Sequence, residues 1–208
     1  MVLRNVTDYI KSYDRCLPQN VCRNLVALAK KTKLERWELK GRPQCNMFNI
    51  THVAETEQDP DWMKMQNLLI PAIKSASELY MTQVGCKDHW PVENGFEQIK
   101  LKHYECERND RFDEHVDVGD HSSARRFLAL FFYLNDVEKG GETHFPNVNI
   151  SIKPSEGKVL VFPPTWMFAH SGKAPLSNDK YVVGTYLHSV SYTHLRAHET
   201  VLDLVCRL

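Results

Sequence analysis

Residues 158–188 read KVLVFPPTWMFAHSGKAPLSNDKYVVGTYLH, and this stretch carries the strongest indication of the fold. Its two ends, residues 158–162 and 180–188, are apolar runs of strand length, separated by prolines and by a polar segment at 171–179. Short strands divided by turn residues are typical of an all-β sandwich or barrel. We therefore expect this part of the chain to supply strands to a layered β structure.

The same pattern extends upstream to about residue 91. Further strand candidates lie at residues 96–104, 126–134 and 148–153, and glycine-containing breaks separate them. The sequence therefore predicts a jelly-roll core over residues 96–188.

The first 95 residues have a different, helical pattern. Residues 17–31 open with Pro18 and place apolar side chains at helical spacing, and residues 61–80 carry a second apolar stripe. Pro71 is expected to kink or split the second helix. Residues 34–55 are interpreted as strand or irregular structure. The predicted fold class is mainly β with N-terminal helices, with residues 1–95 as a helical and mixed elaboration that packs on the core.

Composition and charge exclude several classes of protein. The chain has 208 residues, of which 42% are hydrophobic and 25% charged, as in folded globular proteins. Lysine plus arginine and aspartate plus glutamate both number 26, so no global positive field favours nucleic acid or an anionic membrane as partner. The first residues contain no apolar run of the length that a signal peptide or membrane span needs. We therefore expect a cytoplasmic protein that is not secreted.

The end of the chain does not resemble natural protein. Residues 190–200 match one reading frame of a common sequencing adapter, and residues 203–208 match its continuation. We interpret residues 189–208 as a translated adapter and exclude them from fold reasoning. His194 and His198 are therefore not considered as metal ligands. The alternative is an ordinary polar helix over residues 191–208.

Three residues form a candidate metal site. His115-Val-Asp117 places an imidazole and a carboxylate two residues apart, so an extended segment would present both on one face. Alone this pattern is close to chance expectation, but His170 adds a second imidazole between two strand candidates. Two histidines and one carboxylate are typical of non-haem iron(II) oxygenases, in which three coordination positions stay open. The alternative is a solvent-exposed loop pair.

Lys180 is a candidate anion-binding residue. It begins the run at 180–188, where a period of two places Lys180, Val182, Gly184 and Tyr186 on one face. A lysine that faces the inside of a barrel is unfavourable unless an anion meets it, and a dicarboxylate would do so. The alternative is a surface lysine at the start of a strand.

Taken together, these motifs resemble the catalytic domain of prolyl-4-hydroxylase-like 2-oxoglutarate oxygenases, and especially small oxygenases of marine phages. The resemblance covers about residues 96–188. It rests on the order and spacing of Tyr104, Phe112-Asp-Glu-His115-Val-Asp117, Arg125-Arg-Phe-Leu-Ala-Leu-Phe-Phe-Tyr-Leu-Asn-Asp-Val, Gly140-Gly-Glu-Thr-His-Phe-Pro146, Phe162-Pro163, His170-Ser-Gly172 and Lys180.

The resemblance implies a double-stranded β-helix, a set of cofactors and a set of site residues. The cofactors are Fe(II), 2-oxoglutarate and O2, with ascorbate as reductant. The implied iron ligands, which are also the catalytic residues, are His115, Asp117 and His170. The residues implied to contact 2-oxoglutarate are Lys180, which would bind the distal carboxylate, and Tyr104, Tyr133 and Thr143. Two features depart from the family pattern: Phe112 stands where a tyrosine is common, and the interval from Tyr104 to His115 is longer.

The resemblance also implies a reaction, in which a peptidyl proline or another protein side chain is hydroxylated with release of succinate and CO2. We expect a protein or peptide as partner, rather than nucleic acid or membrane. One alternative is a nucleobase-modifying oxygenase, but enzymes of that group anchor the oxoacid with arginines after the second histidine, and residues 171–188 contain none. The other alternative is a non-catalytic jelly roll that binds metal or sugar.

Overall fold

The computed structural model describes residues 5–38 and 43–190 of the chain. Residues 191–208, which include most of the adapter-like segment together with His194 and His198, lie outside the described residues.

The described residues form three α-helices and twelve strands. The helices are α1 (Gln19–Ala29), α2 (Ile50–His52), which continues into a π-helical turn at Val53–Glu57, and α3 (Pro60–Val84). The strands are β1 (Lys11–Tyr13), β2 (Glu35–Trp37), β3 (Cys45–Asn49), β4 (Asn94–Phe96), β5 (Lys100–Tyr104), β6 (Phe112–His115), β7 (Arg126–Tyr133), β8 (Thr143–Phe145), β9 (Ile150–Ile152), β10 (Val159–Phe162), β11 (His170–Gly172) and β12 (Lys180–Ser189).

The strands form two sheets. The larger has the order β1-β10-β7-β12-β5-β3-β2, with β4 also paired to β12, and the smaller has the order β6-β11-β8-β9. All strand pairs are antiparallel. The prediction of a mainly β fold with N-terminal helices is therefore confirmed.

Strand β7 shows how the layers are stacked. Its residues Leu128, Leu130 and Phe132 belong to one apolar cluster with side chains of α1 and α3. Ala129 and Tyr133 belong to a second cluster with Phe145 and Phe168, on the side of the smaller sheet. Both faces of the strand are covered, which is why its sequence is an almost continuous apolar run. The molecule is thus layered as helices, large sheet and small sheet.

Both predicted helices are present. Helix α1 begins after Pro18, and α3 runs through Pro71 without ending there. Proline has no backbone N–H, so the carbonyl one turn earlier in the helix lacks its usual hydrogen bond. Because Pro71 is exposed, water can donate to that carbonyl instead. The expected split at Pro71 is therefore not found, and the helix is continuous over Pro60–Val84. In the described part of the chain, no helix combines the length and the apolar character that a membrane crossing requires.

The strands differ from prediction mainly where they are short. The predicted strand at 96–104 is divided into β4 and β5, because the chain leaves the sheet between them. Strands β1, β6, β8 and β11 were not predicted from the sequence. Each has only three or four residues, too few for an apolar period to be visible.

Candidate metal centre

The three predicted metal ligands converge between the two sheets. His115 ends β6, His170 begins β11, and these two residues are direct partners in the antiparallel pair. Asp117 lies in a bend two residues beyond β6, rather than in one extended strand as expected. One ligand atom from each residue lies within 4.8 Å of the others. The structure therefore brings together all three residues in a group that can hold a metal ion.

Backbone carbonyls orient both imidazoles. Nδ1 of His115 lies 2.8 Å from the carbonyl oxygen of Asp113, and Nδ1 of His170 lies 3.1 Å from that of Phe168. A carbonyl oxygen can only accept a hydrogen bond, so each Nδ1 must carry the proton. Each Nε2 then faces the Asp117 carboxylate, at 3.4 Å for His115 and 3.5 Å for His170. This arrangement presents the two Nε2 atoms for metal coordination.

Burial and neighbouring charges set the protonation of the group. Burial lowers the pKa of His170 to about 4, against the attraction of Asp117. Burial by itself would raise the pKa of Asp117, but the nearby imidazoles of His115 and His170 outweigh it and lower this pKa to about 2. At neutral pH His170 is therefore neutral and Asp117 anionic, which are the forms that bind metals.

Asp117 has one carboxylate oxygen without a hydrogen bond. Its Oδ1 accepts a hydrogen bond of 2.9 Å from the Tyr186 hydroxyl, whereas the buried Oδ2 accepts none from the described residues. A buried anionic oxygen is unfavourable unless a donor or a cation meets it. Two imidazoles and one carboxylate with an unsatisfied oxygen fit an Fe(II) ion of the non-haem oxygenase type.

A charged pair supports Asp117 from behind. Nη1 of Arg126 donates a 2.8 Å hydrogen bond to the backbone carbonyl of Asp117. The same guanidinium binds both carboxylate oxygens of Glu97, at 2.6 and 2.8 Å, and lies 4.2 Å from the centre of the Tyr186 ring. Of the two neighbouring arginines, only Arg126 therefore contacts the site, while Arg125 is exposed.

A pocket lies beside the metal-binding group, and His115 and His170 form part of its wall. Its wall contains six of the predicted site residues, namely Tyr104, His115, Tyr133, Thr143, His170 and Lys180. It also contains six residues that the sequence analysis did not assign to the site, namely Lys102, Phe112, Phe131, Gly172, Val182 and Gly184. Because side chains two residues apart in a strand share a face, Tyr104 would have indicated that Lys102 also faces the pocket. The same spacing on β12 did predict that Val182 and Gly184 share the face of Lys180.

Lys180 is a buried cation in the pocket wall. Only 2% of the residue is exposed, and its Nζ donates a 3.1 Å hydrogen bond to the Gly141 carbonyl and lies 4.3 Å from the centre of the Tyr104 ring. Burial and the charge of Lys102 lower the pKa of Lys180 to about 7. No carboxylate of the described residues forms an ion pair with it. The ammonium therefore fits an anionic ligand that enters the pocket.

Three hydroxyl-bearing side chains complete the wall around Lys180. The hydroxyls of Tyr133 and Thr143 lie 2.7 Å apart and share a hydrogen bond, and both residues are buried. Burial raises the pKa of Tyr133 and of Tyr104 well above the usual value, so both phenols stay neutral. Neutral hydroxyls can donate hydrogen bonds to a carboxylate ligand.

The other histidines near the motif do not join the metal site. His103 points to the opposite face of the large sheet, where its Nε2 lies 2.9 Å from Asp179 and its ring stacks on Tyr181. Nδ1 of His144 lies 2.9 Å from the Ser151 hydroxyl, and His121 is exposed.

The chain is similar to known proteins in sequence and in fold. Residues 99–188 match the family model of the 2OG-Fe(II) oxygenase superfamily. This part of the chain is a 2OG-Fe(II) oxygenase domain, and its relatives include prolyl 4-hydroxylases. One relative, a probable prolyl 4-hydroxylase 11 of Arabidopsis thaliana, is 34% identical over 79 residues, which are 35% of this chain and 26% of the plant protein. The chain spans 26% to 46% of the length of the first three curated relatives it matches.

Two solved structures share the fold. The viral collagen prolyl hydroxylase of Paramecium Bursaria Chlorella virus-1, in its 2OG complex, has a TM-score of 0.65 at 20% identity and covers 88% of this chain and 97% of its own. A prolyl hydroxylase of Trichoplax adhaerens, in complex with a peptide fragment of the hypoxia inducible factor oxygen degradation domain, has a TM-score of 0.67 at 14% identity, covering 92% and 89%. The predicted jelly-roll core is thereby confirmed.

Proposed function

We propose that the chain is an Fe(II)- and 2-oxoglutarate-dependent dioxygenase that hydroxylates a side chain of a protein or peptide. One observation carries the proposal: the Asp117 carboxylate, with one unsatisfied oxygen, lies beside two oriented imidazoles, and these imidazoles line a pocket that also contains the buried ammonium of Lys180. The donor set suits Fe(II), and the lysine suits a second, anionic group in the same pocket.

When bound, iron and 2-oxoglutarate would supply the chemistry. One oxygen atom of O2 would enter succinate as 2-oxoglutarate loses CO2, and the other would hydroxylate a C–H bond of the substrate. In this proposal His115, Asp117 and His170 hold the metal and leave coordination positions free. Lys180, assisted by the hydroxyls of Tyr104, Tyr133 and Thr143, binds the distal carboxylate of 2-oxoglutarate.

Two aromatic residues protect the centre. Phe112 stacks on His115 with 3.4 Å between ring centres, and the ring of Phe131 lies 6.2 Å from that of His170. Together with Val182, these side chains form the apolar part of the pocket wall. They exclude water from the ligands and limit unproductive reactions.

Peptidyl proline is the favoured substrate. The support comes from the relatives, which carry the name prolyl 4-hydroxylase, and from the Trichoplax structure, which holds a peptide fragment. The near balance of 26 basic and 26 acidic residues gives no reason to prefer nucleic acid. The proposal includes ascorbate as the reductant. It also assigns residues 96–188 to the oxygenase domain and residues 1–95 to an elaboration that packs on that domain.

The substrate assignment can be tested with a panel of proline-rich peptides, alanine-substituted peptides and methylated oligonucleotides. The protein is incubated in air with Fe(II), 2-oxoglutarate and ascorbate, and mass spectrometry detects the gain of one oxygen atom. We expect oxygen gain on prolines, with one succinate formed per hydroxylation. Oxidation of the oligonucleotides alone would contradict the proposal of a protein substrate.

A further inference from the structure

Two lysines face the proposed cosubstrate pocket. Lys180 on β12 pairs with Tyr104 on β5, and two residues further along, Val182 pairs with Lys102. Because side chains two apart in a strand point to the same face, Lys102 and Tyr104 both project into the pocket. Lys180 and Lys102 therefore occupy neighbouring rows of the same sheet face.

The aromatic contacts of Lys102 leave its positive charge available to bind an anion. Its Nζ lies 5.7 Å from the centre of the Phe112 ring and 5.5 Å from that of Phe131. In the parts of the chain that the structure describes, Lys102 forms no ion pair. Since β5 lies inside the large sheet, between β12 and β3, an anion reaches this ammonium through the pocket.

The aromatic contacts place Lys102 on the side of the metal ligands. Phe112 stacks on His115, and Phe131 lies beside His170. Lys180, by contrast, lies over Tyr104 and next to Gly141, one row further along the sheet. Adjacent rows on one face of a strand are about 6.6 Å apart, twice the rise per residue. The two carboxylates of a five-carbon diacid are joined by four bonds of about 1.5 Å each, so an extended diacid has a similar reach.

We propose that Lys102 binds the carboxylate of 2-oxoglutarate next to the oxo group, at the metal end, while Lys180 binds the distal carboxylate. This inference rests on the proposed function. It gives the pocket one cation for each carboxylate, and it makes Lys102 a determinant of specificity for 2-oxoacids.

The test compares two ligands on two variants. The ligands are 2-oxoglutarate and 2-oxobutyrate, which keeps the oxo group and its neighbouring carboxylate but lacks the distal one. The variants are Lys102→Met and Lys180→Met, and dissociation constants are measured by calorimetry on the anaerobic, Fe(II)-loaded protein. We expect Lys102→Met to weaken both ligands by the same factor, about tenfold to a hundredfold. We expect Lys180→Met to weaken 2-oxoglutarate alone.

Two further variants control for fold and charge. Lys100→Met removes the next cation along β5, which does not line the pocket, and should leave both affinities within about twofold of wild type. Lys102→Arg keeps the charge and should retain most of the wild-type affinity. It therefore tests the role of the charge even if Lys102→Met folds poorly. Circular dichroism and Fe(II) affinity check that each variant keeps its structure.

Three outcomes would overturn the inference. Loss of 2-oxoglutarate affinity in Lys102→Met with unchanged 2-oxobutyrate affinity would assign both lysines to the distal carboxylate. Unchanged affinity for both ligands would show that Lys102 serves another anion, such as an acidic substrate. Absence of 2-oxoglutarate binding to the wild-type protein would refute the proposed function itself and the inference with it.

Discussion

Asp117 holds its two carboxylate oxygens in different environments. Oδ1 accepts the Tyr186 hydroxyl, and Oδ2 is buried without a hydrogen bond. The hydroxyl therefore fixes the rotation of the carboxylate and leaves the free oxygen beside His170, 3.5 Å from its Nε2. Loss of a group that orients a ligand in this way typically lowers metal affinity by about tenfold to a hundredfold.

Tyr186→Phe is predicted to weaken Fe(II) binding by about tenfold, because the carboxylate loses the hydrogen bond that orients it. Competition with a chromophoric chelator measures the affinity. Tyr181→Phe is the matched control, since Tyr181 lies on the same strand but stacks on His103 at the opposite face. Equal loss in both variants, or no loss in Tyr186→Phe, would show that the hydroxyl does not orient Asp117.

The lowered pKa of Lys180 predicts that 2-oxoglutarate binding takes up protons. The pKa is about 7 without ligand, because burial and Lys102 outweigh Cys45 and Glu142, and a bound carboxylate raises it. Affinity should therefore fall as pH rises above 7. At pH 7 about half a proton should be taken up per ligand, with less at pH 6 and more at pH 8.

Calorimetry in two buffers of different ionisation enthalpy measures this uptake on protein already loaded with metal. The Lys180→Met variant serves as control, since it lacks the titrating group. Proton uptake that is the same in the variant and in the wild type would assign the effect to another residue.

At the scale of elements, Gly157 joins the N-terminal segment to the large sheet. Its carbonyl accepts hydrogen bonds from the backbone N–H groups of Cys16 and Leu17, at 2.8 and 3.1 Å, and its own N–H donates to Tyr133 at 2.9 Å. It has a φ of +79°, and a Cβ at this position would collide with the carbonyl oxygen of Leu17. Only glycine fits this junction without strain.

Gly157→Ala is predicted to destabilise the protein by about 1–3 kcal/mol, which corresponds to a fall in Tm of roughly 2–12 °C for a chain of this size. Gly119→Ala is the control, because no atom lies within 4 Å of the added Cβ and the φ of Gly119 is not positive. Thermal unfolding followed by circular dichroism gives both values. A Gly157→Ala variant as stable as Gly119→Ala would contradict this role for the junction.

The sequence predicted the longer elements better than the short ones. Strands β7 and β12 and helices α1 and α3 have enough residues for an apolar period to be visible. Strands β6 and β11 have four and three residues, and they form because they pair with each other across 54 residues of chain. His115 and His170 were nevertheless found as candidates, because their residue types, order and spacing matched the family motif even though neither short strand was predicted.

At the scale of the whole molecule, the first 95 residues complete the large sheet. Strand β1 pairs with β10, and β3 pairs with β5, so strands of the N-terminal part flank the core strands on both sides. Helices α1 and α3 cover one sheet face through residues such as Leu25 and Ile73, which are fully buried. The large sheet therefore depends on these residues for both of its edges and for the helices that cover one of its faces.

A fragment of residues 96–190 is accordingly predicted not to fold, because it exposes the apolar face of β7 and leaves edges of the sheet unpaired. A fragment of residues 1–190 should unfold at the same temperature as the full chain, within about 2 °C, if the last segment is adapter-derived. Scanning calorimetry compares them. A cooperative transition in the shorter fragment would show that the core is independent.

Contacts between distant strands explain what the sequence could not predict at the site. Tyr104 indicates that Lys102 shares its face of β5, but the position of Lys102 one row from Lys180 depends on the pairing of β5 with β12. Arg126 gains its contact with Asp117 through the packing of β7 against the bend after β6. The order of His115, Asp117, His170 and Lys180 could be recognised from the chain alone because those residue types have few other roles in that combination.

The central claim, that His115, Asp117 and His170 hold Fe(II) in a site that also takes 2-oxoglutarate, is tested most directly by anaerobic titration. Metal-free protein receives Fe(II) and then 2-oxoglutarate, and absorbance is followed for the charge-transfer band of the metal–oxoacid chelate. The account predicts a band that saturates at one equivalent of each and is lost in His115→Ala but retained in His144→Ala. No band in the wild-type protein, or an undiminished band in His115→Ala, would contradict it.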